Sequence, residues 1–292
     1  MKHAILGVGA IGGLVGTVLA SLGEDVTVVV RAEKLQNYPS HLVLERPTDS
    51  LTAPATAVAR LTEAVDVLWI ATKTYQLPSA LEAVQMAPGL VIPLLNGVDH
   101  VAALRARFGQ ERVIPGTIAV EAEQVLPGHF IERSPLVRLN LGAGGKPLFG
   151  AIFERLDKFG FSCRFIANEQ TLLWGKLCFL GPFALVTSAS GMNVGEILAD
   201  AAWKQKLMTA VSETCSVANA SGAEIDAVQI RATFENSPPG MRSSMQKDLV
   251  AGRQLELDAI GGPIVRGGKR YEIDVSTTGE LMATIRAKTL ER

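Results

Sequence analysis

The chain has 292 residues, of which 48% are hydrophobic and 20% are charged, and its formal net charge is −1. This length predicts two domains, each large enough to bury a core without disulfide support. The near-neutral charge, without a basic stripe, argues against a nucleic acid or an anionic membrane as a partner.

The first third of the chain alternates short apolar runs with helix-like stretches. Continuous rather than alternating apolarity indicates strands that are buried on both faces, and therefore a parallel sheet covered by helices. We predict a doubly wound, Rossmann-like α/β domain. Its predicted strands cover residues 4–6, 26–30, 65–71 and 90–95.

From residue 113 the pattern changes to runs separated by turn residues, which predicts added antiparallel strands over 114–120, 129–133 and 137–141. A helix over 147–159 and a strand over 162–167 complete a first domain of residues 1–167. Residues 168–292 then form a helical domain for substrate binding or dimerisation. Its predicted helices cover 169–180, 199–220, 226–234, 243–251 and 278 to the end, with breaks at 237–240 and 261–263.

The segment from Gly7 to Gly12 reads GxGxxG and stands between a predicted strand and a helix pattern. In this context Gly7 permits a tight turn, Gly9 lets the backbone approach a pyrophosphate, and Gly12 allows close helix packing. We predict that these glycines, with Ala10 and Ile11 at the helix N-terminus, bind a dinucleotide. The alternative is that they only form a tight turn.

The residue after the second strand distinguishes NAD from NADP. An NAD site usually places Asp or Glu there to hold the ribose 2′-hydroxyl, whereas this chain has Arg31. Because a cation can pair with a 2′-phosphate, we predict NADP(H), with a solvated loop arginine as the alternative. Lys73, after the third predicted strand, either adds a second phosphate contact or is an ordinary surface lysine.

A lysine lies on the apolar side of the first helix of the second domain. The residues that recur there at spacings of three and four include Lys176, so its side chain shares the apolar stripe. Such a lysine either extends its ammonium outward to water or lies in a partly desolvated cleft, where a lowered pKa suits proton donation. Spacing alone favours the first arrangement.

Several short motifs follow one another along nearly the whole chain. They are GVGAIGG at 7–13, Thr72-Lys73, Asn96-Gly97, WGKL at 174–177, Ser243-Ser244-Met245 with Asp248, and ELD at 256–258 followed by Gly262. In this order and spacing they resemble the ketopantoate reductase (2-dehydropantoate 2-reductase) family. The resemblance implies NADPH-dependent reduction of 2-dehydropantoate to pantoate, a step of pantothenate biosynthesis, with hydride transfer to C2 of a 2-oxo acid.

The resemblance also implies roles for particular residues, and it reverses the preference at Lys176, which becomes the general acid. Asn96 matches an asparagine that lies near both the nicotinamide and the substrate; by itself Asn-Gly is a common turn. Ser244 and Glu256 match residues that hydrogen-bond the hydroxyl end of the substrate, and Glu256 joins Lys176 as a predicted catalytic residue.

Without the resemblance, two of these residues have structural explanations. Ser243 followed by Gln246 is typical of a capping box, which leaves Ser244 free to face a ligand. Glu256 is then a surface residue; if it is buried instead, it needs a partner, for which Lys176 is the natural candidate.

The chain departs from the family pattern at Leu180 and Ala184, where asparagines are usual. A different, bulkier 2-oxo acid is therefore an alternative substrate, and a non-catalytic NADP-binding sensor is an alternative function. The three cysteines, Cys163, Cys178 and Cys215, form no CxxC pair, no apolar run approaches a membrane span, and no signal-peptide pattern opens the chain. We expect a cytoplasmic protein without metal, and the sequence leaves open whether it forms a homodimer.

Overall fold

The computed structural model of the chain describes residues 1–134 and 136–290. It contains two compact units, Met1–Leu95 with His100–Ala167 and Asn96–Asp99 with Asn168–Arg292. The main division falls after Ala167, but the segment Asn96–Asp99, placed in the first domain by the sequence analysis, belongs to the helical unit. The reason is local packing, because Val98 packs against the hydrophobic core of the helical unit.

The first unit contains a central sheet, two smaller sheets and a few helices. Its strands are β1 (Lys2–Leu6), β2 (Asp25–Val29), β3 (His41–Glu45), β4 (Ser50–Pro54), β5 (Thr56–Val58), β6 (Val67–Ile70), β7 (Leu90–Pro93), β8 (Gly116–Ala119), β9 (Ala122–Leu126), β10 (His129–Glu132), β11 (Val137–Gly142) and β12 (Phe161–Ile166). Its helices are α1 (Ala10–Ser21), α2 (Ala32–Leu35), α3 (Leu77–Leu81), α4 (His100–Phe108) and α5 (Lys146–Leu156).

The central sheet is parallel throughout, in the order β5-β2-β1-β6-β7. Its middle strands are covered on both faces, with Ala4, Ile5, Leu68 and Ile70 fully buried. Counted along the chain within this sheet, the order is 3-2-1-4-5, that of a doubly wound nucleotide-binding domain. The predicted fold class, a Rossmann-like domain followed by a helical domain, is confirmed.

The added strands are only partly antiparallel, so that prediction needs correction. β11 runs antiparallel to β8 but parallel to β12, and β10 runs antiparallel to β9 but parallel to β3. Between β11 and β12 the chain crosses over through α5, and such a strand-helix-strand unit returns in the same direction. The pairing of β10 with β3 joins segments far apart in sequence, and β3, β4, β5 and β9 were not predicted.

The second unit is helical over its described residues. Its helices are α6 (Glu169–Ser190), α7 (Val194–Ala199), α8 (Ala201–Ala220), α9 (Ala227–Glu235), α10 (Ser244–Val250), α11 (Leu257–Tyr271) and α12 (Ser276–Leu290). Helices α7 and α11 were not predicted. The last two residues of the helix predicted to reach the end of the chain lie outside the described residues.

Two Gly-Pro segments, one directly after the helix predicted over 169–180 and one in the break predicted at 261–263, lie inside helices. Pro182 is inside α6 and Pro263 is inside α11. A Cβ on Gly181 would lie 3.1 Å from Ile264 Cδ1, so the two helices approach each other closely at these segments. The packing between the helices therefore outweighs the backbone hydrogen bond that each proline removes.

One helix corrects the expectation that no segment approaches a membrane span. α6 has 22 residues and a mean hydropathy of 1.5, long and apolar enough to cross a membrane by length and composition. However, 78% of its apolar window is buried inside the protein. Burial on nearly all sides is typical of a helix at the centre of a folded domain.

Candidate functional site

The turn from β1 to α1 contains glycines that the fold itself requires. Gly7 has a φ of 93°, and a Cβ there would lie 2.6 Å from the Thr72 backbone nitrogen. A Cβ on Gly12 would overlap the carbonyl oxygen of Gly7. These two glycines are explained by the backbone alone.

Gly9 differs, because nothing in the fold requires a glycine at its position. Its φ of −90° and ψ of −157° suit any residue, and its Cβ would meet no atom within 4 Å. Gly9 is the N-cap of α1, and no described side chain caps this helix. Ala10 and Ile11 in the first turn are partly exposed, and the N–H groups of an uncapped helix N-terminus can bind a pyrophosphate.

A buried hydroxyl beside this turn also fits a bound dinucleotide. Thr72 Oγ1 is buried, and none of the described residues hydrogen-bonds it. An unsatisfied buried hydroxyl costs about 1–3 kcal/mol, which a polar ligand group would offset. The open space at Gly9 and the Thr72 hydroxyl together show that the residues at this edge of the sheet fit a dinucleotide.

Arg31 and Lys73 follow the two strands that flank β1. Arg31 is exposed and directly precedes α2, whereas Lys73 is partly buried and precedes a short 3-10 turn, Thr74–Gln76. Because parallel strands end at one edge of a sheet, both residues lie at the edge that carries the glycine turn, on opposite sides of it. The strands that precede them are two strand spacings apart, about 10 Å, at the edge where ligands bind in such sheets.

Lys176 lies in the first half of α6, whose N-terminus is capped by Asn168 through the Thr171 amide. Its side chain is partly buried, and Nζ donates a 2.9 Å hydrogen bond to Asn96 Oδ1. Burial lowers the pKa of Lys176 to about 8, against the opposing effect of the Glu256 carboxylate. The ammonium is thus held by an acceptor, not extended into water.

Asn96 links Lys176 to Glu256. Its Nδ2 donates to Glu256 Oε2 at 3.1 Å, while its Oδ1 accepts from Lys176. Glu256, the N-cap residue of α11, is only 6% exposed, so the explanation of it as a surface residue is wrong. Asn96 donates a hydrogen bond to it, and its carboxylate acts electrostatically on Lys176, the partner expected from the sequence. The structure therefore brings three of the predicted site residues into one hydrogen-bonded group.

Of the two serines at the start of α10, one has a structural role. Ser243 is buried and caps α10 by accepting from the Gln246 amide, as the capping prediction requires. In a full capping box the Gln246 side chain would also bond the backbone N–H of Ser243. Here the Gln246 side chain donates to the Met192 carbonyl instead. Ser244 is exposed at the first position of α10, and no described contact joins it to Lys176, Asn96 or Glu256.

Two features of these sites were not predicted from the sequence. The Thr72 hydroxyl could have been proposed from its position directly after a parallel strand, the edge where ligands bind in such sheets. The hydrogen bond between Asn96 and Glu256 joins residues that are 160 positions apart, so no local sequence pattern predicts it.

Comparisons with known proteins identify the family of this chain. The family model described as "Ketopantoate reductase PanE/ApbA" matches residues 3–145, and the model of its C-terminal domain matches residues 168–289. The chain belongs to the ketopantoate reductase family. The predicted family is confirmed, and with it an oxidoreductase that acts on a 2-oxo acid.

Individual relatives match this chain over nearly its whole length. A 2-dehydropantoate 2-reductase of Caulobacter vibrioides is 30% identical, covering 98% of this chain and 99% of its own. A solved PanE/ApbA family ketopantoate reductase from Ralstonia eutropha is 25% identical, with a TM-score of 0.87 over 100% of this chain and 99% of its own. D-mandelate dehydrogenase, solved with NADH and anilino(oxo)acetate, matches with the same identity, coverage and TM-score.

Proposed function

We propose that this chain reduces 2-dehydropantoate to pantoate with NADPH, and that Lys176 is the general acid. The observation that carries the proposal is the partly buried Lys176 ammonium, bound to Asn96 Oδ1 at 2.9 Å in a group that also includes the buried Glu256. A cation held in this way can stabilise a developing alkoxide and protonate it.

The cofactor of this reaction is NADP(H), which supplies the hydride to C2 of the 2-oxo acid when bound. For its binding we propose Gly7, Gly9, Ala10, Ile11 and Gly12 at the pyrophosphate, Arg31 at the 2′-phosphate, and Lys73 and Asn96 as further contacts. The support is the open space at Gly9 and the exposed cation that follows β2. The buried Thr72 hydroxyl adds a hydrogen-bonding group that we also assign to the dinucleotide.

The proton balance of the reaction assigns the role of Lys176. As the carbonyl carbon accepts a hydride, its oxygen becomes an alkoxide that takes one proton from the ammonium, and the neutral amine then recovers a proton from solvent. Asn96 orients the ammonium through its acceptor oxygen, while Glu256 favours the charged amine electrostatically. We further propose that Ser244 and Glu256 hydrogen-bond the substrate.

A second candidate is the same reaction on a bulkier 2-oxo acid. Leu180 lies one turn beyond Lys176 on α6 and is partly buried, so an apolar side chain occupies the position of a family asparagine. Ala184 is fully buried in the helical core, which makes it a packing residue instead of a substrate contact. D-mandelate dehydrogenase, with its bound anilino(oxo)acetate, shows that a relative of this fold accepts an aromatic group.

NADPH oxidation by the purified protein separates the two substrates. We expect turnover with 2-dehydropantoate to exceed turnover with phenylglyoxylate, the 2-oxo acid that corresponds to mandelate. The reverse preference would favour the second candidate, and a Leu180→Asn variant should then shift the preference toward 2-dehydropantoate. Cofactor binding without turnover on either acid would support the non-catalytic sensor and contradict both.

The cellular setting is part of the same proposal. We propose a cytoplasmic enzyme of pantothenate biosynthesis, consistent with free thiols at Cys163, Cys178 and Cys215. We also propose a homodimer, and light scattering coupled to gel filtration would test it.

A further inference from the structure

The segment Asn96–Asp99 follows β7 in the chain but belongs to the helical unit. It supplies Asn96, which the proposed function places between Lys176 and Glu256. An amide that must hold two partners at once needs a fixed backbone, so the contacts that hold this segment bear on the chemistry.

Gly97 touches α11 through its backbone. It has a φ of 83°, and a Cβ built on it would overlap the carbonyl oxygen of Ala259 in α11. The Cα–H group of Gly97 occupies that direction instead, as in weak C–H···O contacts between closely packed backbones. Only glycine satisfies both the positive φ and this close approach.

Pro263 of α11 removes a hydrogen bond that the Ala259 carbonyl would otherwise accept. In an α-helix the N–H of residue 263 would donate to the carbonyl of residue 259, but proline has no N–H. The Ala259 carbonyl therefore lacks the donor of a regular helical turn, and the Gly97 backbone is directed at this oxygen.

Arg266 holds the other end of the segment. Its guanidinium contacts Asp99 at 2.5 Å and Asp258 of α11 at 2.9 Å. A Cβ on Gly262 would lie 2.6 Å from Arg266 Nη1, so the absence of a side chain there lets the arginine lie along the helix. Both ion pairs are exposed to solvent, so each contributes little to stability. Through Arg266 they connect Asp99 to α11.

We propose that Gly97, Pro263 and Arg266 form a seat on α11 that positions Asn96 for its hydrogen bonds to Lys176 and Glu256. This inference rests on the proposed function for its consequence in catalysis. The three are positioning residues, because they act through Asn96 and through the Asp99 contact.

The seat has a measurable effect on Lys176. Asn96 Oδ1 accepts from the ammonium and so stabilises its charged form. If Asn96 moves away, Lys176 loses this acceptor while it stays buried, and its pKa falls below its value of about 8. A shift of about one pH unit corresponds to the loss of one charge-assisted hydrogen bond.

The decisive test is a 13C NMR titration of protein labelled at lysine Cε, with the Lys176 signal assigned by its absence in Lys176→Met. We expect Gly97→Ala to lower the Lys176 pKa by about one unit and to move the alkaline fall of kcat by the same amount. The matched control is Gly222→Ala, which introduces the same strain at a φ of 90° but meets no atom within 4 Å. The control should leave both values unchanged.

A second variant keeps the test decisive if Gly97→Ala fails to fold. Arg266→Gln removes a positive charge, which by electrostatics alone would raise the Lys176 pKa, whereas release of the segment would lower it. A lower Lys176 pKa in Arg266→Gln supports the seat. A Lys176 pKa that rises or does not change, in whichever of the two variants folds, overturns the proposal. The titration needs no turnover, so it tests whether the seat positions Asn96 even if the wild-type protein is inactive. Inactivity would contradict the proposed function only.

Discussion

The two candidate sites of this protein are built in opposite ways. At the carboxyl edge of the central sheet the structure provides an open position at Gly9, an exposed Arg31 and a buried Thr72 hydroxyl without a described partner. In the helical unit, Lys176, Asn96 and Glu256 are hydrogen-bonded in series. The first arrangement leaves space and hydrogen-bonding capacity for a ligand, and the second fixes its polar groups in advance.

This difference follows from what each site has to do. Groups that bind a large anion must stay available until it arrives, because a pre-existing partner would have to be displaced. A group that transfers a proton must be oriented and adjusted in pKa before the reaction begins. Changes at the first site should therefore alter cofactor affinity, and changes at the second should alter turnover.

The largest expected effect is on turnover. Lys176→Ala should reduce kcat about 10³-fold, because general-acid and electrostatic stabilisation are lost together, while NADPH affinity measured by calorimetry stays close to wild type. Lys204→Ala, which removes an exposed lysine from α8, is the control and should be neutral. A loss of NADPH binding in Lys176→Ala would show that the two sites are not separable.

The next effect is on the choice of cofactor. Arg31→Asp should weaken NADPH relative to NADH by about 10²-fold, since a carboxylate replaces the cation beside the 2′-phosphate and suits a ribose hydroxyl instead. The ratio of the two dissociation constants checks this. Arg60→Asp, at another exposed arginine of the same unit, controls for net charge. An unchanged ratio would remove Arg31 from the phosphate site.

A smaller effect concerns pH. Lys176 must be protonated to act as an acid, and burial lowers its pKa to about 8, so kcat for reduction should be full below that pH and fall above it. Between pH 7 and pH 9 the fall should be about tenfold. NADPH affinity over the same range should not follow this curve. A kcat that stays flat to pH 9 would contradict the assignment of the proton donor.

The smallest expected effect distinguishes the roles of Gly9 and Gly12 at the first site. Gly9→Ala should weaken NADPH by a few-fold and leave the melting temperature unchanged, because the added methyl group meets no protein atom but occupies the space for the pyrophosphate. Gly12→Ala should lower the melting temperature, since its Cβ overlaps the Gly7 carbonyl. Gly150→Ala in α5, with open space around it, is the neutral control. Equal NADPH affinity in Gly9→Ala and wild type would argue against a ligand at Gly9.

The amino-acid sequence by itself determined the parts that depend on neighbours along the chain. The buried parallel strands, the glycine turn and the cap at Ser243 all follow from local periodicity and turn chemistry, and the structure contains each of them. The resemblance drawn from short motifs also identified the family correctly.

Only the tertiary structure decided the features that depend on residues far apart in sequence. Helix α11 runs through Gly261, Gly262 and Pro263, where local propensity predicts a break, and Met282 of α12 packs directly against Gly261. Glu256 looks like a surface residue by itself, yet it is buried against Asn96. Backbone propensities amount to a few kcal/mol at most and act locally, whereas the burial of a charge depends on which distant groups are close enough to satisfy it.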